Sequence, residues 1–119
     1  MRVYSYKKCG TSRKAIQWLN ERQIPHEVIE IREQPPARAE LARAFADQGD
    51  NLRPLFNTSG QDYRALGISQ KLPAMSVDEA LDLLAGNGNL IKRPFVVGSD
   101  FTLVGFKPEE WANHFGKDA

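Results

Sequence analysis

With 119 residues, the chain is long enough to bury about two-thirds of its unfolded surface in one core without disulfides or metals, and a single domain over 1–119 is expected. Its 16 basic residues nearly cancel 15 acidic ones, so no global field recruits nucleic acid or an anionic membrane, and any anion site must be local. A single cysteine excludes an intramolecular disulfide and fits a reducing compartment. No apolar run reaches about 18 residues, and the first residues already read as a strand, so a cytoplasmic, monomeric protein is expected.

The opening run Arg2-Val3-Tyr4-Ser5-Tyr6 is β-rich. Over 12–22, Ala15, Ile16 and Leu19 recur at helical spacing, and Ile24-Pro25 ends the run. Over 26–31, Val28, Ile29 and Ile31 stand among charged residues, which fits a second strand; a βαβ crossover makes it parallel to the first. Pro35-Pro36 breaks the chain, and 37–48 predicts an amphipathic helix closed by Gly49, with Leu41, Ala42, Phe45 and Ala46 as its core stripe. Helical pieces follow over 51–56, 63–66 and 76–84, separated by Gly60, Gly67 and Pro73. Ser76 is the expected N-cap of the last, with Glu79 completing a capping box.

The period then changes: 94–97 and 101–104 are β-rich and joined by Gly98-Ser99-Asp100, which reads as a hairpin. Pro108-Glu109-Glu110 opens a last helix with acids near its N-terminus and carries Trp111 and Phe115 inward. The order is βαβ, helices, ββα. An α/β, thioredoxin-like fold with a helical insertion and a four-stranded mixed sheet is the simplest way to house it.

Cys9 follows the first strand and meets the start of the next helix, where unpaired N–H groups and the positive end of the macrodipole favour thiolate over thiol. Lys7, Lys8, Arg13 and Lys14 add cationic charge, and Gly10 has no side chain to block access. Thr11 and Ser12 each offer a hydroxyl to the sulfur or to the helix end as a cap. Ser12 also stands where a Cys-x-x-Cys site keeps its second cysteine, so a resolving thiol must come from outside, from glutathione or a redoxin.

A second constellation is Lys92-Arg93-Pro94. If the Arg93-Pro94 bond is cis, the turn holds both residues at the strand entry, where a thioredoxin-like fold brings that loop beside the nucleophile. Arg93 is then placed to grip an oxyanion bidentately. Lys107, after the second hairpin strand, is a further cation of this kind. Two distant histidines, His26 and His114, with one cysteine fill no zinc site, so neither a metal nor a bound cofactor is expected. Arg13 follows Cys9 too closely to close the phosphate cradle of a cysteine phosphatase.

Cys9-Gly10-Thr11-Ser12-Arg13 and Leu90-Ile91-Lys92-Arg93-Pro94-Phe95-Val96-Val97 resemble the ArsC family of glutaredoxin-linked arsenate reductases, and the resemblance covers nearly the whole chain. Other members are the Spx-type regulators of RNA polymerase and the YffB-type glutathione-dependent thiol reductases. The resemblance implies a thioredoxin-like fold, with Cys9 as nucleophile, Arg93 as the arginine that holds the oxyanion, and Pro94 as a cis-proline. Leu55-Phe56-Asn57-Thr58-Ser59-Gly60 puts Asn57 where arsenate reductases carry a further anion-binding arginine, and in this it resembles the Spx and YffB branch. Lys107 or a neighbour corresponds to a third arginine, so charge survives there without a fork-shaped donor.

The expected activity is therefore that of an ArsC-like monothiol oxidoreductase, reducing thiol substrates or arsenate with glutathione or glutaredoxin as reductant and partner. Catalysis rests on Cys9 and Arg93, and substrate or thiol binding on Lys8, Gly10, Thr11, Ser12, Arg13, Pro94 and Lys107. The alternative is an Spx-like regulator that binds the C-terminal domain of the RNA polymerase α subunit, in which Ser12 removes the Cys-x-x-Cys switch.

Overall fold

β1 (Arg2–Ser5) organises the sheet in the computed structural model, which describes residues 1–116. It pairs in parallel with β2 (Glu27–Glu30) and antiparallel with β3 (Phe95–Val97), which pairs antiparallel with β4 (Thr102–Val104). The result is a four-stranded mixed sheet of order β2-β1-β3-β4, the thioredoxin-like arrangement expected from the sequence.

Side chains alternate across these strands, so each face receives its own core. Val3, Val96 and Leu103 face α1 (Gly10–Glu21) and α6 (Pro108–Phe115), which contribute Ala15, Trp18, Leu19 and Trp111. Trp18 and Trp111 meet edge to face with centroids 5.8 Å apart, and the Arg22 guanidinium lies 3.9 Å from the Trp18 ring, closing the layer. Tyr4, Phe95 and Val97 face the opposite layer, built mainly by α2 (Arg38–Asp47) and α5 (Val77–Gly86) through Leu41, Ala44, Ala80, Leu81 and Leu84. Arg2 pairs with Glu40, tying β1 to α2.

Some elements differ from the sequence reading. The first helix begins at Gly10 rather than Ser12, because Cys9 itself has extended backbone angles (φ −89°, ψ 120°) and its carbonyl accepts the Arg13 N–H at 3.1 Å. Cys9 is thus the N-cap residue, and Ser12 lies inside the first turn. In α2 the inward residue is Ala44, three after Leu41, while Ala46 is exposed; Phe45 and Ala42 pack from the margin. Residues 51–56 form no helix beyond a 3-10 turn at Arg53–Leu55. Phe56 leaves that turn extended and bridges to Ile91.

The remaining insertion is segmented as its glycines and proline suggest. α3 (Gln61–Ala65) ends before Gly67, whose φ of +63° turns the chain into α4 (Ile68–Lys71), a helix the sequence did not announce. A 3-10 turn at Leu72–Ala74 leads to α5, whose expected capping box is present: Glu79 N–H donates to Ser76 Oγ at 3.1 Å, and Ser76 N–H to Glu79 Oε1 at 3.4 Å. A last 3-10 turn at Gly88–Leu90 returns the chain to β3. Among the described residues, no helix is long and apolar enough to cross a membrane.

Candidate functional site

Strand register decides what meets at the site. Parallel pairing sets Ser5 against Glu30, and antiparallel pairing sets Tyr4 against Phe95. Carried past the strand ends, these registers bring Tyr6, the Arg93-Pro94 turn and the Ile31-Arg32 segment to one edge of the sheet. The Arg32 and Arg93 guanidinium carbons each lie 4.9 Å from the centre of the Tyr6 ring. The Arg93-Pro94 peptide is cis, Pro94 is buried, and its carbonyl accepts the Gly105 N–H at 2.9 Å.

Cys9 joins this edge from the start of α1, its own N–H held by the Tyr6 carbonyl at 2.9 Å. The half-buried thiol makes no close capping bond to the helix. As a thiolate, however, it faces several donors. Burial alone raises its pKa, but hydrogen bonding from the Ser12 amide and hydroxyl, the Thr11 amide and, least, the Arg93 guanidinium outweighs burial and holds it below the ordinary thiol value. Ser12 is suited to this role because it is buried and its Oγ accepts the Tyr6 N–H at 3.4 Å, leaving its own proton free for sulfur. The Ser12 hydroxyl thus meets the end of β1 rather than capping α1.

Other sequence-selected residues are placed less centrally. Thr11 is exposed and contributes through its amide. Gly10 is exposed, and a Cβ built there would meet nothing within 4 Å, so its value lies in an open approach to the thiol rather than in packing. Lys8 lines a groove with Tyr6, Lys7 and Arg32. Arg13, on the exposed surface of α1, lines neither this groove nor its neighbour. Lys107 is the exposed N-cap residue of α6 and is likewise absent from both linings.

The neighbouring groove, of about 360 Å³, is walled by Tyr6, Arg32, Asn57, Asn89 and Arg93, with Asp62 at its side. Asn57 therefore shares a wall with Arg93. Its amide donates to the Leu90 carbonyl at 2.8 Å, and its side chain packs so closely on Gly60 that a Cβ there would sit 2.8 Å from Nδ2. Tyr6, Arg32 and Asn89 were not selected from the sequence. Arg32 had a readable signal: it follows a strand parallel to the one that ends beside Cys9, and parallel neighbours end on the same edge.

Fold and site together define a thioredoxin-like protein with one cysteine at the head of its first helix and an arginine beside a cis-proline opposite. The chain belongs to the ArsC family, whose model matches residues 4–114. YusI of Bacillus subtilis is 45% identical over 112 residues, covering 94% of this chain and 95% of that protein. An arsenate reductase of Rhizobium meliloti is 35% identical over 95 residues, covering 80% of this chain and 66% of that protein. The regulatory protein MgsR of Bacillus subtilis is 28% identical over 107 residues, covering 90% of this chain and 83% of MgsR. Among solved structures, an ArsC family related protein from Bacteroides fragilis has a TM-score of 0.86 and 43% identity, covering 94% of each chain.

Proposed function

We propose that the chain is a monothiol oxidoreductase in which the Cys9 thiolate is the nucleophile and glutathione or a glutaredoxin is the reductant. The observation that carries this reading is the place of Cys9 as the N-cap residue of α1, where the amides of the first turn favour the ionised form needed for attack. The Cys9 thiolate displaces one sulfur of a mixed disulfide; the released thiolate takes up a proton, and Cys9 is left bonded to the other half. A second thiolate, from outside, attacks that bond, frees Cys9 and carries away the disulfide. The outside thiol is required because Ser12 occupies the place of a resolving cysteine and no other cysteine exists in the chain.

Disulfide exchange is favoured over arsenate reduction. Asn57 stands in the wall beside Arg93 where an arginine would complete an oxyanion cradle, and Lys107 lies outside the groove. The chemistry belongs in a reducing, cytoplasmic compartment. The test is glutathione-coupled reduction of a small mixed disulfide and of arsenate by wild type and Cys9→Ser. Disulfide turnover is expected in wild type, abolished by the substitution, with arsenate turned over more slowly; turnover unaffected by Cys9→Ser contradicts the reading.

The likeness to MgsR supports a second reading, a regulator that binds the C-terminal domain of the RNA polymerase α subunit. Retention on purified polymerase that survives Cys9→Ser, together with absent disulfide turnover in wild type, selects it over the enzyme.

A further inference from the structure

Two guanidinium groups share the Tyr6 ring, each 4.9 Å from its centre, and both line one groove. Two cations lining one groove with no acid to neutralise them make it attractive to an anion. Among the described residues neither is paired: the ion pairs present join Arg2 to Glu40 and Arg38 to Asp78 and Asp82. Arg93 Nη1 is buried and has no hydrogen-bond partner. Asp62, the one carboxylate in the groove lining, is taken up by the Asn87 side-chain amide at 3.1 Å. Glu30 and Glu33 border the adjoining groove, where Glu30 Oε1 accepts the Arg32 backbone N–H at 3.2 Å rather than its side chain.

We infer that Arg32 and Arg93, aligned on Tyr6, form a carboxylate-binding subsite that holds the non-reacting part of a thiol peptide while its sulfur meets Cys9. The inference rests on the monothiol reading for the identity of the ligand and names the element that gives it specificity. The geometry suits the task, since planar guanidinium forks match a carboxylate and the unpartnered Arg93 Nη1 belongs to a side chain that lines the groove. Asn57 and Asn89 add amide groups along the same wall, where a peptide backbone needs donors and acceptors. Arg32 is exposed, so replacing it leaves the core intact.

S-methylglutathione, which keeps both carboxylates and cannot react, is the probe. Calorimetric titration is expected to show binding that is unchanged in Cys9→Ser, about tenfold weaker in Arg32→Gln, and weakened by salt. The dimethyl ester of the same peptide is expected to bind no better to wild type than the acid binds to Arg32→Gln. Equal binding of the acid by wild type and Arg32→Gln overturns the inference, as does undiminished binding of the ester. Displacement by an equal concentration of sulfate assigns the groove to inorganic oxyanions and also overturns it. Arg32-dependent binding without disulfide turnover upholds the subsite while refuting the catalytic reading. Turnover with an unchanged KM for glutathione in Arg32→Gln does the reverse.

Discussion

The Ser12 hydroxyl accepts from the Tyr6 amide at 3.4 Å, and its own proton favours the ionised Cys9 sulfur, lowering the thiol pKa. Ser12→Ala removes that donor while leaving the Thr11 and Ser12 amides in place, and the thiol pKa is expected to rise; thiolate ultraviolet absorbance followed against pH reads the change directly. The depressed pKa also has a thermodynamic consequence. A thiol that ionises more readily folded than unfolded contributes stability that is present above the unfolded pKa and lost as pH falls through the folded one. Denaturant unfolding of wild type should therefore show stability rising with pH across that interval, and Cys9→Ser should flatten the rise. Gly10 belongs to the same scale: its open surroundings predict that Gly10→Ala folds normally, so any loss of turnover reports hindered access to sulfur.

Among the elements, the 3-10 turn at Gly88–Leu90 has the tightest constraint on the site. A Cβ at Gly88 would lie 1.9 Å from the Ile31 carbonyl oxygen, because this turn packs directly on the segment leaving β2. The two segments carry Asn89 and Arg32, which line one groove. Gly88→Ala is expected to cost about 1–3 kcal/mol in chemical denaturation. It should also weaken peptide binding beyond what the stability loss explains. The sequence disclosed Gly88 only as one glycine among nine, since a close approach between segments distant in the chain leaves no local signal. Ser76 is the contrasting case, because its cap and the Glu79 reply lie within one turn and were readable from spacing alone. The same locality explains the misplaced start of α1: serine is the stronger N-cap residue by preference, but the backbone turned one helical step earlier, at a cysteine.

At the scale of the whole molecule, strand order and helix order were legible because each depends on periodicity and on the handedness of one βαβ crossover. The cis peptide at Arg93-Pro94 was expected too, from the resemblance and the thioredoxin-like fold, and it is present. That Arg32 leaves a strand parallel to β1 was readable, but its meeting with the Tyr6 ring was not, because it depends on a strand register that no run of residues encodes. The layer opposite the groove holds α1 in place through Trp18 and the fully buried Trp111. Trp111→Ala should destabilise the fold by about 3–5 kcal/mol in denaturant titration. The most direct test of the account as a whole is the rate of Cys9 alkylation by iodoacetamide as a function of pH. A thiolate held by the head of α1 predicts a midpoint well below the ordinary cysteine value of about 8.5, whereas a midpoint at or above that value contradicts the account.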